Sequence, residues 1–114
     1  MRKFAFFIVA AVSLITPLRA EEGRAVYYSN WYQGKRTASK DIFDQEAMTA
    51  AHKSLPFGTQ VKLTNTGNNK SVVVKVNDRM APNNKNMIDV SLKAARELDF
   101  VHAGSARVSL EVVK

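Results

Sequence analysis

The segment from Thr37 to His52, TASKDIFDQEAMTAAH, concentrates side chains that can transfer protons. It holds three acidic residues, two threonines and one of the two histidines of the 114-residue chain. Carboxyl and imidazole groups within hydrogen-bond reach of a substrate act as general acids and bases. The same residue types also form the solvated, charged surface of many small domains. The composition of this segment therefore leaves two interpretations open, one wall of a catalytic cleft and a plain surface loop.

Most other catalytic chemistries lack their residues in this sequence. The chain contains no cysteine, which excludes a thiol nucleophile and a zinc–thiolate site. Its two histidines are not arranged as HExxH, and no GxSxG, phosphate-binding glycine loop or dinucleotide fingerprint occurs. We therefore expect no cofactor and no metal, with a mixed histidine–aspartate metal site as the remaining alternative.

The first 20 residues have the composition of a secretory signal peptide. Arg2 and Lys3 precede an apolar stretch over residues 4–18, and Ala20 provides a small residue for cleavage. A membrane span is the alternative, but the stretch is shorter than the roughly 20 residues that a bilayer requires. We therefore predict a signal peptide over residues 1–20, export to the periplasm or the extracellular side, and no stable membrane anchor after cleavage.

Residues 21–114 have the length of one domain with one modest core. Signal cleavage would remove three of the 17 basic residues and none of the 10 acidic ones, which leaves a net charge of +4. A mild positive charge suits an anionic cell-wall polymer, and it equally suits a soluble protein that avoids self-association. The basic residues are scattered along an exported chain, and we therefore expect no nucleic-acid partner.

The elements that must position the reactive side chains are mainly strands. Alternating or β-branched apolar residues occur in four runs, over residues 24–28, 60–64, 71–76 and 106–112. Turn residues at 66–69 join the second and third runs into a predicted hairpin over residues 60–77. We predict one helix over residues 91–98, with Ser91 as its N-cap, and a shorter one around residues 45–52. Many short strands without a disulfide favour a closed barrel, which has no exposed edges.

Three stretches of the chain carry a more specific pattern. In order and spacing, TAAHKSLPFGTQVKLTN, VVVKVNDR and IDVSLKAARELDF resemble the rare lipoprotein A family. The opening stretch over residues 23–39, with the run YYSNWYQGKRTAS, resembles the first strand and loop of that family, so the likeness extends over residues 23–113. The resemblance implies a mainly β fold, a six-stranded double-psi β-barrel with one or two short helices. It also implies a bacterial cell-envelope location and lytic cleavage of peptidoglycan.

The resemblance further assigns candidate catalytic residues. The acidic position of the family's TASGE pattern falls on Asp41, its histidine on His52, and the aspartate of its NDR motif on Asp78. Expansins and MltA-type transglycosylases are more distantly similar, and they place an essential aspartate where IDVS carries Asp89. We therefore expect these four side chains to converge on one groove.

Residues around this group are candidates for holding a glycan. An aromatic ring offers a large apolar face to a ligand, and Trp31 and Tyr32 lie in a predicted loop, whereas we expect Tyr27 to face the interior. The candidate substrate-binding residues are Trp31, Tyr32, Thr37, Asn77 and Arg79.

Lytic cleavage of a MurNAc–GlcNAc bond requires one carboxyl group in two successive roles. The acid protonates the departing glycosidic oxygen, and the carboxylate then accepts the proton of the muramyl C6 hydroxyl, which attacks the anomeric carbon and closes a 1,6-anhydro ring. Burial or a neighbouring negative charge raises the pKa of such an acid. We expect Asp78 and Asp89 to provide that charge for one another, and His52 to donate to one of them. The second carboxylate would stabilise the oxocarbenium-like charge.

Each candidate also has a structural interpretation. Asp78 would cap the turn after its strand, and Asp89 would interact with the N-terminus of the following helix. His52 would be a buried, hydrogen-bonded residue. Asp41 would belong to a solvated loop, and its carboxyl lies closer to the backbone than that of the glutamate in the family pattern.

Three places depart from the family pattern. Lys40-Asp41 replaces Gly-Glu, Met80 replaces the glycine that follows the NDR motif, and Asn86 replaces an arginine before the IDVS motif that would contact substrate carboxylates. Methionine cannot replace a glycine required for positive φ without strain, so we expect a remodelled loop over residues 80–86. These departures keep a second function open beside the first.

The sequence thus predicts a peptidoglycan lytic transglycosylase that acts on glycan strands. The alternative is a non-catalytic, expansin-like module that binds cell-wall glycan without breaking covalent bonds. A third interpretation is a protein–protein adaptor at the cell envelope. Formation of 1,6-anhydro ends separates the first interpretation from the other two.

Overall fold

The computed structural model describes residues 20–114. Within this range the chain forms six strands, one α-helix and one turn of 3-10 helix. Their bounds are β1 Ala20–Tyr27, the 3-10 helix Asn30–Tyr32, β2 Thr49–His52, β3 Gln60–Asn65, β4 Ser71–Arg79, β5 Ile88–Val90, α1 Leu92–Leu98 and β6 Ala106–Val112. The predicted signal peptide over residues 1–20 lies outside the described residues, apart from Ala20 in β1. No helix of the described range is long and apolar enough to cross a membrane.

The six strands close into a barrel in the order β1–β5–β2–β4–β3–β6. Two neighbouring pairs are parallel, β1 with β5 and β2 with β4, and the other four pairs are antiparallel. Parallel neighbours require crossover connections, and a closed sheet with two such pairs agrees with a double-psi β-barrel. The predicted mainly β, six-stranded barrel is therefore confirmed.

Alternate residues of the strands fill the barrel interior. Leu63 of β3 lies opposite Leu110 of β6, and solvent reaches almost none of either side chain. β-branched and aliphatic residues pack well on such a pleated surface. The predicted hairpin over residues 60–77 and the strand over residues 106–112 are both confirmed, and β4 continues to Arg79.

Helix α1 packs one face against the barrel. The Oγ atom of Ser91 accepts a hydrogen bond from the backbone N–H of Ala94, and Asp99 ends the helix in the left-handed conformation. The predicted helix and its N-cap are thus confirmed. Its buried side chains are Ala94, Ala95 and Leu98.

The second helix, predicted around residues 45–52, is wrong. Residues 49–52 form strand β2, which lies between β4 and β5 and pairs with both. All four side chains of this strand are buried. The alanines and methionine of the segment favour a helix by only a fraction of a kcal/mol per residue. Pairing of both strand edges and burial of both faces outweigh that local preference.

Candidate active site

Three cross-strand neighbours form the floor of an external cleft. Ala51 of β2 lies opposite Asp78 of β4 on one side and opposite Asp89 of β5 on the other. Directly paired residues point to the same face of a sheet, so the two carboxyl groups flank the small alanine side chain. The cleft has a volume of about 200 Å³. It is lined by Tyr28, Tyr32, Ala51, Asp78, Arg79, Met80, Asn84 and Asp89.

A β-bulge in β4 turns Asp78 out of the barrel. Val76 and the alternate residues before it point inward and are buried, and unbroken alternation would turn Asp78 inward as well. The register instead shifts between the pair Ala50–Val76 and the pair Ala51–Asp78, which leaves Asn77 as the extra residue. A bulge of this kind re-aims the side chains that follow it. Asp78 therefore faces the cleft.

The carboxyl group of Asp78 accepts three hydrogen bonds. Its Oδ2 accepts from the hydroxyl of Tyr28 at 2.7 Å, and its Oδ1 accepts from the backbone N–H groups of Ala38 at 2.8 Å and Arg79 at 2.9 Å. An ionised carboxylate only accepts hydrogen bonds. This set of three donors therefore suits the charged form of Asp78 and holds it in one orientation.

The carboxyl group of Asp89, unlike that of Asp78, lacks hydrogen-bond donors within residues 20–114. Its Oδ1 atom is buried and has no hydrogen-bond partner among the described residues. Burial, followed by the negative charge of Asp78, raises the pKa of the Asp89 carboxyl from its ordinary 3.8 to about 6. Asp89 thus keeps its proton to a much higher pH than an exposed aspartate does. An acid of this kind can donate a proton near neutral pH.

Tyr28 is the site residue that the sequence analysis did not single out. Its ring stacks on Phe43 at 4.1 Å between centroids, and its hydroxyl contacts Asp78. Burial, the hydrogen bond to Asp78 and the nearby acidic charges raise the pKa of the Tyr28 phenol above its ordinary value of 10. The phenol therefore remains a donor. The sequence did contain a signal for Tyr28. Side chains alternate between the two faces of a strand, and Tyr27 packs against the core as predicted, so the residue after it points outward.

Residues 37–41 fold over β4 beside the cleft. The backbone N–H of Ser39 donates to the carbonyl of Asn77 at 3.3 Å, and the Nδ2 of Asn77 donates to Oδ2 of Asp41, also at 3.3 Å. Thr37 is buried and forms a hydrogen bond with the hydroxyl of Ser39. The lining of the cleft contains none of the three predicted site residues Thr37, Asp41 and Asn77. Thr37 and Asn77 are buried beside it, and Asp41 is exposed.

Two of the departures from the family pattern, Lys40 and Met80, have different structural consequences. Lys40 adopts the left-handed region with a φ of 82°, where the family pattern carries glycine. A Cβ atom costs roughly 1–2 kcal/mol in this conformation. Met80 does not have a positive φ, and its side chain is buried beside Tyr28, Phe43 and Ala51. The strained backbone position is therefore Lys40 and not Met80.

His52 faces the barrel interior, on the opposite side of β2 from Ala51. Its Nε2 lies 2.9 Å from Oε1 of Glu21. Its Nδ1 accepts from the backbone N–H groups of Ser54 and Leu55, both at 3.1 Å. These two accepted bonds assign the proton to Nε2, which donates to Glu21. The predicted hydrogen bond from His52 to a cleft carboxyl is therefore wrong.

Exposed aromatic rings flank the cleft. Tyr32 is part of its lining, and Trp31, with 67% of its surface exposed, meets the Tyr32 ring edge to face at 5.0 Å. The Nζ atom of Lys35 lies 4.2 Å from the centroid of the Trp31 ring. Arg79, also in the lining, places its guanidinium 4.6 Å from the ring centroid of the exposed Phe57. Each outer ring thus carries a cation on its face.

Two larger and more open depressions lie elsewhere, of about 480 and 440 Å³. The first lies beside Gly58 and Val113, and the second beside Arg96 and His102. Neither lining holds two carboxyl side chains. In residues 20–114 no group of three or more histidine, aspartate or glutamate side chains is placed to hold a metal ion. The chemistry of the described residues is therefore concentrated at the carboxyl pair.

The fold and the cleft define a double-psi β-barrel with an external pair of unlike carboxyl groups. Residues 22–110 match the family described as lytic transglycolase. This match spans most of the chain, and the chain belongs to that family.

Relatives with similar sequences are named as peptidoglycan transglycosylases. The chain is 50% identical over 103 residues to the probable endolytic peptidoglycan transglycosylase RlpA of Treponema pallidum, with 90% of this chain and 31% of that protein covered. It is 45% identical over 93 residues to the endolytic peptidoglycan transglycosylase RlpA of Vibrio cholerae, with 82% and 35% covered. The chain thus spans about a third of the length of each of these relatives.

Solved structures share the fold at lower identity. The Streptomyces papain inhibitor superimposes with a TM-score of 0.68 at 19% identity, over 88% of this chain and 99% of that one. An expansin of Clavibacter michiganensis in complex with cellohexaose gives a TM-score of 0.67 at 22% identity, over 84% and 51% of the two chains. These likenesses show the barrel fold alone.

Proposed function

We propose that this domain is an endolytic peptidoglycan lytic transglycosylase that cleaves MurNAc–GlcNAc bonds and leaves 1,6-anhydroMurNAc ends. The observation that carries the proposal is the pair formed by Asp89 and Asp78 across Ala51 in an open cleft. The pair combines a carboxyl group of raised pKa with a carboxylate held by three donors. The relatives named as peptidoglycan transglycosylases support the choice of substrate.

In this proposal Asp89 is the acid and then the base. Its proton passes to the glycosidic oxygen as the bond to the anomeric carbon breaks, and the GlcNAc hydroxyl leaves. The Asp89 carboxylate next accepts the proton of the muramyl C6 hydroxyl, whose oxygen bonds to the anomeric carbon. Asp89 thus donates one proton and accepts one, and it ends the reaction protonated as it began. Asp89 lines the cleft, where its carboxyl group can contact a bound substrate.

Asp78 stabilises the positive charge that develops on the sugar ring. Its three donors already hold the carboxylate in place, so little reorganisation accompanies the reaction. The same negative charge raises the pKa of Asp89. One group thus acts on both the acid and the oxocarbenium-like transition state. Since the attacking oxygen belongs to the substrate, the carboxyl spacing that distinguishes retaining from inverting hydrolases does not apply.

Glycan binding is assigned to the residues on the cleft rim. Tyr32 lines the cleft and Trp31 extends the aromatic surface beyond it, which suits the apolar faces of successive sugar rings. Arg79 provides a cation to the anionic groups of the wall polymer. Asn77 bonds to Ser39 and Asp41, and Ser39 bonds to Thr37, so this group of side chains supports the position of the neighbouring Asp78.

Export belongs to the same proposal. Residues 1–20 would direct the chain out of the cytoplasm, and residues 21–114 would act at the cell wall in the periplasm or outside the cell. Peptidoglycan glycan strands are the partner, without nucleic acid. Intact-mass measurement of protein recovered from the envelope fraction tests this point, since removal of residues 1–20 predicts a chain that begins at Glu21.

The decisive experiment uses purified residues 21–114 and isolated glycan strands. Mass spectrometry of the products should reveal new 1,6-anhydromuramyl ends from the wild type and none from Asp89→Asn. Asp99→Asn is the matched control, because Asp99 is exposed at the end of α1 and asparagine tolerates its left-handed backbone. Binding to sacculi without new anhydro ends would reject the enzyme and favour the expansin-like glycan-binding module. Absence of both would favour a protein adaptor.

A further inference from the structure

We propose that the hydroxyl of Tyr28 is a positioning group that keeps the proton of the carboxyl pair on Asp89 and the charge on Asp78. The inference rests on the proposed function for its catalytic consequence, whereas the proton assignment is a property of the free protein. Tyr28 contacts the reacting pair through Asp78 alone.

The hydrogen bonds of the two carboxyl groups are strongly unequal. Asp78 accepts three, while Oδ1 of Asp89 is buried without one. When two nearby carboxyl groups hold a single proton, the proton resides on the group whose charged form is stabilised less. Two of the three donors to Asp78 are backbone N–H groups of Ala38 and Arg79. Tyr28 is the side-chain donor, and its contact at 2.7 Å is the shortest of the three.

Packing fixes the direction of the Tyr28 hydroxyl. The ring stacks on Phe43 with an interplanar angle of 19° and meets the ring of Tyr32 edge to face at 5.7 Å. The backbone N–H of Tyr28 also donates to the carbonyl of Val90 at 3.0 Å, directly after Asp89 in β5. Aromatic contacts and a backbone hydrogen bond directly after β1 therefore hold the phenol against the carboxyl group of Asp78.

The other charged and titratable groups at the cleft do not replace this donor. The phenol of Tyr32 enters from the 3-10 helix, and the Nη1 of Arg79 donates to the carbonyl of His52 at 3.0 Å. Asp41 lies beyond Asn77 and adds a further negative charge behind Asp78. Within residues 20–114, Tyr28 is the one side chain that donates a hydrogen bond to either carboxyl of the pair.

Loss of the hydroxyl has a defined consequence. Without it the doubly ionised pair is less stable relative to the singly protonated pair, so the last proton leaves at a higher pH. The proton also spends more time on Asp78, where it does not reach the glycosidic oxygen. The variant Tyr28→Phe should therefore shift the alkaline limb of the pH–rate profile upward by about one pH unit and lower kcat about tenfold. KM should change less than twofold, on the order of experimental error.

The experiment compares Tyr28→Phe with Tyr27→Phe. Tyr27 is the adjacent tyrosine, and its hydroxyl donates to the carbonyl of Val101 at 3.0 Å on the core side of β1. Both variants lose one phenolic hydrogen bond and keep the ring, but Tyr27 does not contact a carboxyl. The pH–rate profile of Tyr27→Phe should match the wild type. Circular dichroism and thermal melts establish that each variant is folded.

A second readout uses the free domain without glycan. Carbon-13 NMR of the aspartate carboxyl groups should show Asp89 titrating near pH 6 in the wild type. In Tyr28→Phe the midpoint should rise, and the resonances of Asp78 and Asp89 should move together.

The two proposals fail separately. Carboxyl titrations of Tyr28→Phe that equal those of the wild type would overturn the role of Tyr28 whether or not glycan is cleaved. The expected titrations together with no anhydro ends from the wild type would reject the transglycosylase and leave the proton assignment in place. An equal effect of Tyr27→Phe on the pH profile would also reject the specific role of Tyr28.

Discussion

Ala51 and His52 are adjacent in β2, and each lies beside a different kind of polar group. On the outer face, Ala51 separates Asp78 from Asp89, whose Oδ1 atom is buried without a partner. On the inner face, His52 and Glu21 form a hydrogen-bonded pair, and both ring nitrogens of the histidine have partners. One residue step along the strand thus separates an unsatisfied acid from a fully satisfied imidazole.

The difference shows that folding stability is lost at the carboxyl pair and not at the histidine. An unsatisfied buried polar group costs roughly 1–3 kcal/mol, and Asp89 incurs such a cost in an open cleft. His52 incurs none, because all its polar atoms are bonded. Perturbed groups without partners are typical of reactive sites, whereas satisfied networks are typical of structural ones. Substitutions on the two faces of β2 should therefore separate effects on the reaction from effects on stability.

The largest effect is expected at the acid itself. Asp89→Asn should lower the rate of anhydromuramyl formation by about 10³-fold, because general acid–base catalysis by one residue contributes roughly 10²–10⁴-fold. The free energy of unfolding should not fall. Single-turnover product analysis on purified glycan strands measures the rate, with Asp99→Asn as control. A rate within tenfold of the wild type, on the order of experimental scatter in such assays, would remove Asp89 from the acid role.

Asp78→Asn should reduce the rate by about 10²-fold, since a charge-stabilising group is lost. It should also lower the pKa of Asp89 towards its ordinary range, because the negative charge of Asp78 helps to raise it. The alkaline limb of the pH–rate profile should therefore move to lower pH. A pH–rate series from about 4 to 9 tests the direction, and an upward shift would contradict the assignment of charge to Asp78.

His52→Ala should act on stability instead of chemistry. The variant removes a buried ring and leaves three former partners without it, so the free energy of unfolding should fall by about 3 kcal/mol. The pH dependence of the rate per folded molecule should match that of the wild type. Urea denaturation measures the stability, and assays at low temperature measure the folded fraction.

Glu21→Gln is the matched control for His52, because glutamine keeps an acceptor for the Nε2 proton and Glu21 is half-exposed. Its effect should remain within about 1 kcal/mol. Unchanged stability of His52→Ala together with loss of activity would overturn the structural role of the histidine.

The pH dependence of stability should expose the unsatisfied acid directly. The pKa of Asp89 is about 6 in the folded protein, above its ordinary 3.8, so the folded state binds the proton more tightly than the unfolded state. The contribution of Asp89 to stability is therefore complete below about pH 4 and is lost as pH rises through about 6. Asp89→Asn should be more stable than the wild type by about 3 kcal/mol at about pH 7.5 and show no such gain at about pH 4. Thermal midpoints of Asp89→Asn that equal those of the wild type at both pH values would contradict the raised pKa of Asp89.

The smallest effect is expected at Lys40, in the loop that supports Asp78. Lys40→Gly should raise the free energy of unfolding by about 0.5–1 kcal/mol, because glycine adopts the positive φ without a Cβ clash. The variant should leave the titration of the carboxyl pair unchanged. Lys35→Gly is a suitable control, since Lys35 does not have a positive φ. Destabilisation by Lys40→Gly would show that the observed φ is not strained.

Local patterns in the sequence predicted much of the framework. Alternation of apolar residues identified the β3–β4 hairpin and β6, and Ser91 identified the start of α1, since each signal depends only on near neighbours in the chain. The NDR and IDVS matches also predicted that Asp78 and Asp89 share a groove, and the structure places both in one cleft. Asp41 was assigned to the same groove by the TASGE pattern, and Thr37 and Asn77 were substrate-binding candidates, yet none of the three lines the cleft.

The sequence by itself determined a small strand-rich domain, with its periodic strands, one capped helix and the acidic residues of its motifs. Only the tertiary structure decided that residues 49–52 form a strand, that Asp78 faces out, that His52 faces in and that Tyr28 contacts the acid pair. The physical reason is that these four outcomes depend on strand pairing and on one inserted residue in β4. A shift of one residue reverses the face to which every following side chain points, and no local pattern specifies it.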